Sequence, residues 1–156
     1  MTAAQPVFDQ TLWALVTGGR QAVLATTRRD GTPHLSNMLY VVDPPTRTVR
    51  ISTKADTVKI GHLRHRPRAA IHVSGDDFWA FAVAEGAVGL SDVARTPGDA
   101  ACEELRAIHA VYYGPQPDDE IYPALIAQQR VVIRLHVERV YGLVATGGRR
   151  PVRVND

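Results

Sequence analysis

Apolar and polar residues alternate with a period of two along much of this chain, and turn residues interrupt the alternation at short intervals. The clearest case is Val131, Ile133, Leu135 and Val137, which alternate with Val132, Arg134, His136 and Glu138. A period of two sends successive side chains to opposite faces, so the run predicts a strand with one buried face. Val140 to Ala145 extends it past a bend. Gln21 to Arg28 is rich in Val, Leu and Thr and predicts another strand. Asp30-Gly31 is a hairpin turn signal, and Pro33 to Val42 is the return strand. Pro33 stands at the start, where no ladder N–H is needed. Asp43-Pro44-Pro45-Thr46 turns the chain into a strand from Arg47 to Thr53. Arg68 to Ser74 and Phe78 to Leu90 follow, separated by the turn Gly75-Asp76-Asp77. The second of these is long and apolar with Gly86 inside it, a mark of a bulge or bend. Long bent strands are what a closed barrel requires.

Other segments carry the helical period. Phe8, Leu12, Leu15 and Val16 form a stripe along Pro6 to Val16, with Asp9 or Thr11 near the start and Gly18-Gly19 as the stop. Asp99 is a candidate N-cap for a helix with Leu105, Ile108 and Val111 on one face, closed by Tyr112-Tyr113-Gly114-Pro115. Gln116 to Glu120 reads as a solvated loop, and Tyr122 to Gln129 as a short helix with Pro123 in its first turn. Sequential strands joined by tight turns favour an antiparallel barrel over a parallel α/β sheet. The expectation is a mainly β fold with peripheral helices, as one domain over residues 1–148 with a basic tail at 149–156.

Composition narrows the function classes. With 156 residues, 45% hydrophobic and 22% charged, the chain can bury a core and is globular. A net charge of +2 is too mild to imply nucleic acid, so basic residues matter by position. Cys102 is the only cysteine, which excludes an internal disulfide and a cysteine-based metal site. MTAAQPVFDQ lacks a basic region followed by an apolar run, and no apolar run approaches the roughly 20 residues that span a bilayer. A soluble cytoplasmic protein is expected.

The chemistry concentrates in ISTKADTVKIGHLRHRPRAAIHV, Ile51 to Val73. A strand ends at Ser52-Thr53, a short helical turn carries Lys59, and a second strand starts at Arg68. Lys54, Lys59, Arg64, Arg66 and Arg68 face one acid, Asp56. Free N–H groups and the helix dipole attract anions at such a junction. Ser52, Thr53 and Thr57 add hydroxyls. The stretch reads as a phosphate site or as an ordinary solvated basic face. His62 and His65 could suit a metal, but no third ligand is near and the arginines repel cations, so no metal site is expected. Tyr40 and His34 are possible proton donors, against a packing role. Ser36 and Cys102 lack a nucleophile context. Aromatics interleaved with the basic residues are absent, which argues against an RNA face.

The order AVLATTRRDGTPHLSN, ISTKADTVKIGHLRHRPRAAIHV, DDFWAFAVAEGAVGL, VVIRLHVERVYG resembles the split β-barrel flavin- and deazaflavin-binding proteins, the superfamily of pyridoxamine 5′-phosphate oxidase. Within it the chain is most similar to the branch that binds the deazaflavin F420. The resemblance covers roughly residues 7 to 142. It implies a split antiparallel β-barrel and a homodimer with cofactor sites at the interface. It implies an oxidoreductase that transfers a hydride between F420 and an unsaturated or conjugated small molecule. FMN and a non-catalytic F420, FMN or haem carrier are the alternatives. Carried over, Lys59 contacts the cofactor phosphate with Ser52 and Thr53 donating hydrogen bonds. His34, Leu35, Ser36, Asn37 and Met38 lie beside the ring system, largely through backbone groups. Trp79 approaches from the second subunit, and Arg149 and Arg150 are candidates for the acidic tail of F420. The Arg-x-x-Leu-Lys element and the Trp-Arg…Arg-Leu-x-Pro ending of pyridoxamine oxidases are missing, which speaks against pyridoxal phosphate synthesis. Related F420 proteins carry a second basic residue two before the lysine, where this chain has Thr57.

Overall fold

The structure, a computed structural model, describes residues 9–144. Arg149, Arg150 and the rest of the basic tail lie outside the described residues.

Helix α1 (Gln10–Gly18) is capped by Asp9, whose carboxylate accepts from the Thr11 and Leu12 N–H groups. The strands are β1 (Gln21–Thr27), β2 (Pro33–Leu39), β3 (Val41–Asp43), β4 (Thr48–Lys54), β5 (Arg68–Ser74), β6 (Phe81–Leu90) and β7 (Arg130–Leu143). Helix α2 (Val58–His65) lies between β4 and β5, and α3 (Ala100–Tyr113) and α4 (Asp118–Ala127) precede β7. All seven strands join one antiparallel sheet in the order β2-β1-β5-β6-β7-β4-β3.

That order determines the shape. β2 and β3 are consecutive, with only Tyr40 between them, yet they occupy opposite edges of the sheet. The sheet must therefore curl until its edges approach, and β2 comes beside β4. Pro33 to Val42 is expected as one strand; the chain instead breaks at Tyr40. This residue is fully buried, and its hydroxyl donates to the Val16 carbonyl at 2.6 Å. Full burial with the hydroxyl committed to Val16 makes Tyr40 a packing residue, and burial also pushes its pKa well above the usual tyrosine range.

The hollow of the sheet is filled by Leu24, Ile51, Ile71, Ile133 and Leu135, with Trp13 and Val16 of α1 and Ile60 and Leu63 of α2. A second cluster lies on the back of β7, where Val132 is covered by Leu105 and Ile108 of α3 and Ile121 and Leu125 of α4. β7 thus buries both faces over part of its length, where the alternation predicts one. Arg50 and Arg134 sit opposite one another on β4 and β7, and both pair with Glu104 of α3. Burial works to raise the Glu104 pKa, but the two guanidiniums hold it below the ordinary value.

Several boundaries differ from expectation. β4 begins at Thr48, because Arg47 occupies a left-handed turn position with φ 51°. β6 begins at Phe81, which leaves Phe78 and Trp79 in the preceding turn. α4 starts at Asp118, so Asp118, Asp119 and Glu120 form its first turn instead of a loop. Acids there are stabilised by the positive helix end. Pro123 consequently lies inside the helix. Asp99 caps α3 as expected, accepting from the N–H groups of Cys102, Thr96 and Arg95, which bring its pKa down to about 2.

Asp99→Ala is expected to cost about 1 kcal/mol, read by urea unfolding at neutral pH. A carboxylate whose pKa is depressed on folding contributes stability above its unfolded value of about 4, and loses it as pH falls towards the folded value. The gap between wild type and Asp99→Ala is therefore expected to close between about pH 4 and about pH 2. Among the described residues, no helix is long and apolar enough to cross a membrane.

Candidate functional site

The curl leaves a seam. Among the described residues, no strand pairs with the outer edge of β2, and β3 covers β4 only from Thr48 to Arg50. The upper part of β4, Ile51 to Lys54, therefore offers an edge towards β2 without a ladder partner. Such edges present free N–H and C=O groups, which suit the hydrogen-bonding rim of a flat heterocycle.

Helix α2 closes one end of the seam. Its N-cap residue, Thr57, makes no side-chain cap; the hydroxyl donates at 3.0 Å to the Lys54 carbonyl instead. No acid occupies the first turn. The N–H groups that open the helix are left for an external acceptor, with the positive end of the dipole behind them. Lys59 stands in this first turn, half-buried, and burial lowers its pKa.

The strand period sorts the remaining candidates. His34, Ser36 and Met38 face the inner side of β2, opposite Thr26, Leu24 and Ala22 of β1. Leu35, Asn37 and Leu39 point outward, with Leu35 62% exposed. Ser52 and Thr53, being adjacent, cannot share a face. Thr53 points inward and is buried. The Ser52 hydroxyl lies on the α3 side, 3.0 Å from His109 Nε2 and accepting from Arg130 Nη1 at 3.3 Å. Two of the three hydroxyls expected to donate to an anion are therefore engaged elsewhere, Ser52 with His109 and Arg130, and Thr57 with Lys54. What Ser52 brings to the seam is its backbone. Trp79 lies in the β5–β6 turn, 47% exposed, its ring 5.1 Å edge-on from that of Phe78.

The fold also assembles a group that the sequence does not single out as one. His62, on α2, has its Nδ1 3.0 Å from the hydroxyl of buried Thr26. Its ring meets that of His34 edge-on, with centroids 5.2 Å apart. Burial lowers the His34 pKa, and the charges of Arg28, His62 and Lys59 push it the same way. Two buried side-chain atoms here have no partner, His34 Nδ1 and Ser36 Oγ. Burying such atoms unpaired is costly, so both are suited to a ligand's donors and acceptors. Behind α2 an open pocket of about 360 Å³ is lined by Arg28, Arg29, His62, His65 and Arg66, with no carboxylate in its wall. The uncapped helix start and Lys59 form one donor set for an anion at the seam, and the arginines and histidines of the pocket form a second basic surface behind the helix.

Known proteins share this fold. Residues 8–143 match the family model described as pyridoxamine 5′-phosphate oxidase. Among solved structures, a conserved hypothetical protein from Mycobacterium tuberculosis is 25% identical, with a TM-score of 0.64, over 95% of this chain and 98% of that one. An F420 reductase is 24% identical, with a TM-score of 0.61, over 82% and 94% of the two chains. A pyridoxamine 5′-phosphate oxidase-related, FMN-binding protein from Nostoc punctiforme is 16% identical, with a TM-score of 0.58, over 84% and 75%.

Proposed function

Because the chain belongs to the pyridoxamine 5′-phosphate oxidase family, we propose that it is an oxidoreductase with a flavin-type cofactor, namely F420, acting on an unsaturated or conjugated small molecule. The observation that carries the reading is the seam between β2 and β4, closed by the uncapped start of α2 with Lys59. A phosphate-bearing flat heterocycle is the chemistry this seam accommodates. An F420 reductase and an FMN-binding protein are both among the similar structures, which supports the cofactor class.

In this reading Lys59 and the first N–H groups of α2 hold the phosphate. The backbone of residues 34–38 along the β2 edge orients the ring, with Thr53 and the β4 edge opposite. When bound, the reduced cofactor supplies the hydride. A second copy of the chain completes the site: Phe78, at 82% exposed, Trp79, Leu35, Tyr141 and Leu143 leave an apolar outer surface that a homodimer would cover. Trp79 of that copy would then lie against the ring.

Titration of the purified protein with F420 and with FMN, followed by tryptophan fluorescence, tests the assignment. Tighter binding of F420, in the micromolar range or below, is the expected result. Preference for FMN would move the protein to the flavoproteins. Binding without turnover against a broad set of acceptors would make it a carrier, and binding of neither cofactor would overturn the proposal.

A further inference from the structure

We propose that His34 and His62 form a proton-accepting half of the phosphate site, so that a phosphate-bearing ligand is held by a second cation, generated on binding, beside Lys59. The inference rests on the reading of this junction as a phosphate site and adds a role for two side chains that this reading does not require.

The geometry carries it. The two rings meet edge-on at 5.2 Å, with His34 on β2 and His62 on α2, so a charge on either one is felt by the other. His34 is faced by Thr26 from β1, by Arg28 from the β1–β2 turn and by Lys59 and His62 from α2; the charges that act on it are all positive. The acids of the two flanking turns, Asp30 beside Arg28 and Asp56 before α2, are both exposed to solvent. Without an anion, a charged imidazole is therefore opposed both by burial and by its neighbours. An anion at the start of α2 reverses the balance, because an opposite charge at close range favours the protonated ring. The proton comes from solvent.

Two details suit the pair to this change. The hydroxyl of Thr26 can donate to Nδ1 of neutral His62 or accept from Nδ1–H of the charged ring, so protonation loses no hydrogen bond at 3.0 Å. His34 Nδ1 is buried without a partner. As an unprotonated nitrogen it accepts from a ligand, and as N–H it donates to one. A phosphate monoester, with its greater charge, gains more from the new cation than a diester does.

The test reads the rings directly. Histidine Cε1–H signals, assigned with His34→Gln and His62→Gln, are followed by NMR from about pH 5 to about pH 8 in free protein and with FMN, F420 or riboflavin. FMN and F420 are expected to raise the midpoint of at least one of the two rings by about one pH unit, and phosphate-free riboflavin to leave both in place. In parallel, His34→Gln is expected to weaken FMN binding about fourfold at pH ~6 while leaving it nearly unchanged at pH ~8, as a one-unit shift requires. A purely structural role would weaken binding equally at both. Midpoints that stay put while FMN or F420 binds would overturn this inference and leave the proposed function standing. If neither cofactor binds, both fall.

Discussion

Lys59→Ala weakens binding of F420, or of FMN if that is the preferred cofactor, by about 30-fold, equivalent to about 2 kcal/mol. A hydrogen bond from an ammonium to a phosphate oxygen is charge-assisted, and at this position it is strengthened by partial burial of Lys59 and by the helix end behind it. Lys59→Arg keeps the charge and is expected to recover most of the affinity. Lys54 provides the control. It is nearer to Ser52 in sequence but exposed, and it shares with Ser52 the face of β4 that looks towards α3. Lys54→Ala should stay within about twofold of wild type, as expected for a solvated surface charge. Fluorescence titration of the three variants gives the comparison. Equal affinities for Lys59→Ala and wild type would remove Lys59 from the phosphate site.

Gly86→Val destabilises the fold by about 3 kcal/mol or more, lowering the melting temperature by roughly 10 °C in a domain of this size. The register between β6 and β7 shifts between Glu85 and Gly86. A side chain at Gly86 would place its Cβ 1.9 Å from the carbonyl oxygen of His136 and 3.0 Å from the Glu138 nitrogen. These are backbone atoms of the partner strand, so no rotamer change relieves the clash. The ladder must open at the bulge that lets these long strands bend. At Gly61, on the open side of α2, an added Cβ would meet nothing within 4 Å. Gly61→Ala is expected to be neutral or slightly stabilising, since alanine is the better helix former. A thermal melt of both variants checks the contrast, and similar melting temperatures would contradict the reading of the bulge.

Much of this was legible in the chain as written. The strand period, the Asp99 cap, the glycine inside β6 and the basic junction around Lys59 are local features. Each depends on residues a few positions apart, and each recurs in the structure. The opposite faces of Ser52 and Thr53 were also legible, because the period that identifies the strand forbids both hydroxyls from serving one site. The early start of α4 was partly legible too, in the three acids that suit a helix N-terminus.

The break at Tyr40 was not, since PHLSNMLYVV is an unbroken strand pattern by itself. Its hydroxyl finds Val16 only after α1 packs into the hollow of the sheet. The meeting of Thr26, His34 and His62 was hidden for the same reason. They belong to three elements, and contacts between them arise only when β2 pairs with β1 and α2 plugs the end of the curled sheet. Sequence alone determined which segments become strands and helices, and where positive charge gathers, because propensity, periodicity and turn chemistry act between near neighbours. Tertiary structure decided which side chains face the seam and which polar atoms are left there unpaired, because closing a sheet juxtaposes residues by register and curvature, which no short stretch of the chain contains.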